Sequence, residues 1–315
     1  MSDIIASYGD EKLMNILIAG GSGFIGTALT NKLIASNHTV TVLTRSSRRT
    51  LASEGTHVRQ WDARSVGEWA TSLDGCDAVV NLTGENIGGK RWSASQKERL
   101  VQSRIQSTAA LVEAMNRAAK KPAVFVCASA VGYYGDVPTG DATEDRAPGT
   151  DFLARLCEQW EAEAMKASPL GIRVVCIRSG IILSKSGGAL PRLLLPFRLF
   201  AGGPLGSGKQ WFPWIHLDDE LRAIQFAIEH PGIAGSINLA APNPLTMREF
   251  CSALGKALHR PSWAPVPGFV LRILLGEMAG PLLLGGQRAI PNKLFAAGFQ
   301  FRFNTAEEAL RDILG

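Results

Sequence analysis

Three glycines, Gly20, Gly23 and Gly26, recur at every third residue in the stretch NILIAGGSGFIG, Asn15–Gly26. An apolar run, Ile16-Leu17-Ile18, precedes them, and Phe24, Ile25, Leu29, Leu33 and Ile34 follow with helical spacing. This pattern predicts a strand, a tight turn and a helix. Such a turn brings free backbone N–H groups and the positive end of a helix to a bound anion. A Cβ at these glycines would block either the ligand or the turn. The chemistry on offer is binding of a dinucleotide pyrophosphate, with Gly20, Gly23, Phe24, Ile25 and Gly26 as contacts.

A second group of residues bears on which dinucleotide. The β-branched run Thr39–Leu43 ends in Thr44-Arg45, with Arg48 and Arg49 close behind. In a dinucleotide fold the end of the second strand meets the adenosine ribose, where a carboxylate would select a free 2′-hydroxyl. Arg45 offers a cation instead, which attracts a 2′-phosphate. The expected cofactor is NADP(H), with Arg45 as the leading contact; the competing reading of the arginines is a solvated basic loop. Asp62, after the strand-like His57–Trp61, either caps the turn that follows or stands near the adenine amino group.

Acid–base candidates are sparser. Glu85 and Asn86 lie just past the continuous apolar run Cys76–Leu82, where they would touch substrate or cofactor. His216 offers an acid, a base or a substrate ligand, whereas Asp218 and Asp219 most simply cap a helix starting at Glu220.

The elements that must hold these residues alternate. Further strands are expected at Ala123–Ala128 and Arg173–Arg178, and further helices at Ser65–Ser72, from Ser93 with a Ser93–Gln96 capping box, and at Asp151–Ser168. This indicates an α/β chain with a Rossmann-type, doubly wound parallel sheet over residues 14–180, receiving later segments near 210–240. Thr83-Gly84 ends the fourth strand in a small-residue turn that lets backbone pass close to a cofactor. Beyond residue 180 glycine and proline become dense, and residues 181–315 read mostly as a smaller domain covering the carboxyl ends of the strands. Residues 1–13 read as an extension without the apolar core of a signal peptide.

Hydrophobic residues make up 46% and charged residues 19% of the 315-residue chain, the balance of a soluble globular protein. The net charge of +5 comes without a basic cluster interleaved with aromatics, which argues for a small-molecule substrate and against nucleic acid. Five cysteines show neither C-x-x-C nor zinc spacing, so they read as buried free thiols in a reducing, cytoplasmic setting with no bound metal. The most apolar stretch, Phe269–Leu284, carries Arg272, Glu277 and Pro281 and reads as a packed helix, not a membrane span. Oligomeric state is left open.

With the glycine turn, the Ser129 segment, Arg178-Ser-Gly-Ile-Ile-Leu and Trp214-Ile-His-Leu-Asp-Asp219, the chain resembles the extended short-chain dehydrogenase/reductase superfamily. LTGENI (82–87), KRW (90–92), GYYGD (132–136), LPFRL with GGPLGSGKQ (195–210) and GGQRAIP (285–291) narrow this to the NAD-dependent epimerase/dehydratase-like "epimerase family" group, which carries a C-terminal domain of unknown function. The resemblance implies cofactor contacts at the glycine turn, Thr44-Arg45, Leu82-Thr83-Gly84, Arg104 and the Ser179–Ile182 turn, with Ile182 among them. Arg104 has a competing reading as a surface charge. The resemblance also gives Ser129 the task of holding the reacting substrate oxygen.

The superfamily pairs a tyrosine with a lysine four residues on, so that both face one side of a helix. Aligned on Glu161, this chain has Leu153 and Cys157 at those places; with Trp160 and Ala164 they form a stripe expected to pack against the sheet. A phenol acting in their stead would be Tyr133 or Tyr134, and Tyr134 is the candidate carried forward. The expected function is an NADP(H)-dependent oxidoreductase or epimerase acting on a small polar, sugar-like substrate. The alternative is a non-catalytic NADP(H)-binding sensor or scaffold.

Overall fold

A strand whose residues are apolar on both faces must be covered twice, and this chain contains several. The computed structural model describes residues 13–45 and 55–315; Arg48, Arg49 and most of the 1–13 extension lie outside them. It opens with β1 (Asn15–Ala19), α1 (Phe24–Ala35), β2 (Thr39–Thr44), β3 (Thr56–Gln60) and β4 (Ala78–Asn81). The long α2 (Ala94–Arg117), β5 (Val124–Ala130), β6 (Val137–Ala142), α3 (Phe152–Met165) and β7 (Arg173–Ser179) follow. Next come β8 (Ile181–Ser184), β9 (Gly187–Gly188), α4 (Leu190–Arg198), β10 (Trp211–Phe212), β11 (Trp214–His216), α5 (Leu217–Glu229) and β12 (Gly235–Leu239). The remainder holds β13 (Leu245–Thr246), α6 (Met247–Leu258), α7 (Gly268–Leu275), β14 (Gln287–Ala289), α8 (Asn292–Ala296) and α9 (Ala306–Leu314).

Among the described residues, seven strands form one sheet in the order β12-β7-β5-β4-β1-β2-β3. Every pairing in it is parallel. Ile16, Val80, Val126 and Ile177 face one core, which α1 and α5 close with Leu29, Leu33, Ile224 and Ile228. Leu17, Val79, Phe125 and Cys176 face the other, against Leu111 and Met115 of α2 and Trp160 of α3. This is the Rossmann-like sheet that the alternation predicts. From β1 the chain runs to β2 and β3 on one side, and to β4, β5 and β7 on the other. That reversal leaves a crevice at the carboxyl ends of β1 and β4, the place where such sheets bind ligands.

The second half is woven back into the first. Strand β12 completes the sheet, β11 pairs with β8, and β14 returns to pair with β6. A third core joins Leu194 and Phe197 of α4, Phe250 and Leu254 of α6, and Leu310 of α9 around Trp214. Thr246 and Thr305 close the N-termini of α6 and α9 with reciprocal capping boxes.

Several local expectations are corrected. Ser93 caps α2 by accepting from the Gln96 amide, but the Gln96 side chain donates to Glu85 Oε1 at 2.8 Å instead of returning to Ser93. The segment after Asp62 winds as a tight helical turn at Glu68–Leu73 instead of a full helix over 65–72. Asp62 itself caps the short turn that follows it: its carboxylate accepts from the Ser65 hydroxyl and from the Ser65 and Arg64 amides, which hold its pKa down at about 2. The Phe269–Leu284 stretch is a short α7 plus two irregular turns, with Phe269 and Ile273 exposed. No helix among the described residues is long and apolar enough to cross a membrane.

Candidate functional site

The glycine turn divides its labour. Gly20 has φ +82°, and a Cβ there would stand 2.8 Å from the carbonyl group of Leu82. A Cβ on Gly26 would come within 2.3 Å of Gly20 O, so α1 is seated tightly against the turn. Gly23 differs: its backbone is extended, and a Cβ would meet only Gly20 O at 3.3 Å. Its open side faces a cavity. Gly23 is also the N-cap of α1, which has no side-chain cap and no acidic residue in its first turn. The helix end therefore presents bare N–H groups and an unopposed positive dipole to that cavity.

The cavity holds about 610 Å³, within the range of small-molecule and cofactor sites. One end is lined by Gly20, Gly23, Phe24, Ile25 and Gly26, and its side by Leu82, Thr83, Gly84, Glu85 and Asn86. Arg104 reaches it from α2, anchored by bonds to Leu100 O at 3.0 Å and Glu85 O at 3.1 Å, with its guanidinium over the Trp160 ring. Arg104 is thus a wall residue, and burial lowers its pKa. The far wall is apolar and aromatic: Leu153, Leu156, Cys157 and Trp160 from α3, with Trp211, Phe212, Met247 and Leu282 from the second half of the chain.

Ser129 lies in the same wall, at the end of β5, but its proton is committed. The hydroxyl donates to Glu161 Oε1 at 2.6 Å. That carboxylate also accepts from Arg178 Nε and Nη2, both at 2.8 Å, and from Ser236 Oγ at 2.8 Å. Burial alone would lower the Arg178 pKa; the Glu161 bonds outweigh it and raise it. Arg178 Nη1 donates to Tyr134 Oη at 2.9 Å, and Tyr134 donates to Asn238 Oδ1 at 2.7 Å. The guanidinium also stacks 3.4 Å from the centre of the Tyr133 ring. Each polar atom named here has a partner, the condition under which a buried ion pair is tolerated.

The model of the NAD dependent epimerase/dehydratase family matches residues 16–240, and that of a domain of unknown function, DUF1731, matches 266–313. The chain belongs to the NAD dependent epimerase/dehydratase family. An Arabidopsis thaliana protein, the chloroplastic SDR39U1 homolog of the epimerase family, is 42% identical over 99% of this chain and 90% of its own. The Mycobacterium bovis epimerase family protein Mb2239 is 45% identical over 94% and 96%. Human epimerase family protein SDR39U1 (isoform 2), solved with NADPH, superposes with a TM-score of 0.86 at 38% identity, covering 96% of this chain and 99% of that one.

Within this epimerase/dehydratase framework, the structure brings together most of the residues singled out in the sequence. The glycine-turn residues, Leu82–Gly84, Glu85, Asn86, Arg104 and Ser129 all line one cavity. Thr44 and Arg45 do not: Thr44 is buried beside the Ser22 hydroxyl, and Arg45 is exposed at the outer end of β2. Ile182 packs into the core, so the lining residues of its turn are Ser179, Gly180 and Ile181. Leu153, Cys157 and Trp160 face the cavity, and Trp160 and Ala164 of that stripe also pack into the sheet core. Burial, the largest influence, pushes the Cys157 thiol up to about 12.

Two acid–base candidates also fall outside. Tyr134 is 2% exposed, does not line the large cavity, and spends its phenol between Arg178 and Asn238; burial pushes its pKa to about 12. His216 caps α5 by accepting from the Asp218 amide, stacks on Phe303 and faces Asp312 at 3.4 Å, with burial lowering its pKa. The helix starts at Leu217, before the expected Glu220, and Asp219 accepts the Arg302 and Phe303 amides, which fastens the C-terminal segment. Sequence reasoning missed Glu161, Arg178 and Glu220 as site residues. Arg178 alone carried a local signal, a basic residue inside the apolar run Val174–Ile182; Glu161 and Glu220 sit among other acidic residues.

Proposed function

We propose that this chain is an NADP(H)-dependent oxidoreductase or epimerase of the extended short-chain dehydrogenase type. The observation that carries the reading is the continuity of the cavity, which runs from the bare α1 N-terminus at Gly23 to the wall holding Ser129. The open side of Gly23, which a Cβ would fill, fits a pyrophosphate. The human relative solved with NADPH supports NADP(H) as the nucleotide. The exposed position of Arg45 after β2 supports a contact with a 2′-phosphate, because the adenosine ribose lies at that strand end in such folds.

When bound, the nicotinamide supplies hydride transfer. The protein's part is orientation. Ser129 gives its proton to Glu161, so it offers the cavity lone pairs and orients a reacting hydroxyl by accepting from it. Glu161, clamped by Arg178 and Ser236, fixes that hydroxyl's rotation. The wall of Leu153, Leu156, Trp160, Trp211 and Phe212 excludes water and suits a substrate with an apolar or aromatic body. The sugar-like substrate expected from the sequence is the competing assignment. The test is cofactor turnover on a panel of secondary alcohols and ketones with aromatic or aliphatic bodies, set against nucleotide sugars. Turnover confined to nucleotide sugars would reject the substrate assignment.

A second reading, an NADP(H)-binding sensor or scaffold, is favoured by one observation: Leu153 and Cys157 leave the α3 wall without the usual phenol and ammonium. It predicts tight NADP(H) binding, no turnover on any of the panel, and partner association that follows the nucleotide's redox state.

A further inference from the structure

Glu220 is the least explained polar group in the fold. It sits in the first turn of α5, is 0% exposed, and lines the same cavity. One carboxyl oxygen accepts from Ser179 Oγ at 2.6 Å. The other, Oε2, has no partner at all. A buried polar atom without a partner costs about 1 to 3 kcal/mol, and a buried unpaired charge costs more. The structure keeps that cost in the wall of a ligand cavity.

Its location follows from the strand order. The adenosine half of a dinucleotide held at the glycine turn extends over β2, so its other half must run over β4, β5 and β7. Ser179 ends β7, and its Cα is the register partner of Ala130, the neighbour of Ser129. The Ser179–Glu220 pair therefore stands at the nicotinamide end, one strand beyond Ser129.

No charge is at hand to balance a carboxylate there. The titratable groups on the elements packed against α5 are Lys32 on α1, Cys127 on β5, Arg173, Cys176 and Arg178 on β7, and His216 on β11. Lys32 is bound to Asp218, Arg173 to the carbonyls of Ala227, Ile228 and Ile233, Arg178 to Glu161, and His216 faces Asp312. On α5 itself, Arg222 is bound to Asp219. Burial pushes the Glu220 carboxyl up to about 8, so its neutral form predominates at physiological pH. A neutral carboxyl donates one hydrogen bond, and Ser179 Oγ keeps its lone pairs. That set complements an uncharged amide, whose C=O accepts and whose N–H groups donate; to a phosphate or carboxylate it offers a single donor and no balancing charge.

Resting on the NADP(H) reading above, we propose that Glu220 and Ser179 form the subsite for the nicotinamide carboxamide, engaged by Glu220 in its neutral form. The experiment is calorimetric titration of NADPH and, separately, of 2′-phospho-ADP-ribose, which lacks the nicotinamide, at pH 7 and pH 9. Wild-type protein should bind NADPH about tenfold more weakly at pH 9, because the neutral fraction falls by that factor. Glu220→Gln, which keeps a donor that does not titrate, should bind NADPH equally at both values. Glu220→Leu should weaken NADPH about tenfold at pH 7, and the fragment should ignore both pH and variant. NADPH affinity that is flat with pH in the wild type, or unchanged in Glu220→Leu, overturns the subsite. So does a fragment that follows the same pH profile. Failure of both ligands to bind at pH 7 instead removes the NADP(H) reading itself, and the subsite with it.

Discussion

Ser129 and Glu161, separated by 32 residues in the chain, are joined by a 2.6 Å hydrogen bond in which the serine is the donor. Position at the end of β5 gives Ser129 access to the cavity, and Glu161 decides which face of its hydroxyl the cavity sees. On the proposed function, Ser129→Ala should lower kcat about 100-fold or more. It should cost only about 1 kcal/mol of stability, because Glu161 keeps its bonds to Arg178 and Ser236. Steady-state kinetics beside urea unfolding separates the two effects; unchanged turnover would remove Ser129 from the chemistry.

Removing Glu161 is a different matter. Glu161→Ala leaves the Arg178 guanidinium, whose side chain is 4% exposed, as an uncompensated buried charge. A loss of about 3 to 5 kcal/mol is expected, read as a lower urea midpoint. The double replacement of Glu161 and Arg178 by apolar residues should recover part of that loss.

The two outer glycines and the central one should separate folding from binding. Gly26→Ala drives a Cβ to 2.3 Å from Gly20 O, and backbone cannot yield as a flexible side chain does; about 1 to 3 kcal/mol of stability should go. Gly23→Val meets little of the fold itself, with its nearest neighbour at 3.3 Å, yet fills the open side of the turn. It should unfold at nearly the wild-type denaturant concentration and bind NADPH at least tenfold more weakly.

Arg45 is exposed, so its replacement should leave stability alone. Arg45→Ala should weaken NADPH by about tenfold or more, the worth of a charge-assisted bond, and leave NADH affinity nearly unchanged. Equal losses for both nucleotides would rule out the phosphate contact.

Glu220 also predicts how stability varies with pH. Its folded-state pKa, about 8, lies above the ordinary value of 4.5. The folded protein therefore holds a proton that the unfolded chain releases from pH 4.5 upward. The contribution is fully present below that value and is lost as the pH rises through about 8. Between these limits the wild type should lose up to about 1.4 kcal/mol per pH unit from this group. Glu220→Gln should remove that slope, as seen in urea midpoints measured from pH 5 to 9.

What the sequence determined on its own is what repeats over short distances. The glycine turn was legible because its three glycines and the flanking apolar residues lie within one strand, one turn and one helix. The parallel sheet was legible because a strand covered on both faces leaves an unbroken apolar run, as in Ala78-Val79-Val80. The pairing of residues distant in the chain was decided only by the tertiary structure. Tyr134 is five residues from Ser129, and nearness alone suggested a shared site; the tight turn at Val131–Tyr134 carries its phenol to Arg178 and Asn238 instead. Glu220 read as the start of a helix, and only the packing of α5 beneath β7 buries it against Ser179 with one oxygen unmatched. The apolar and aromatic wall likewise depends on β10 and the 281–287 segment folding back over the carboxyl ends of the strands, which no local pattern records. Burial and periodicity are properties of neighbours in sequence; the partner of a buried polar group is a property of the topology.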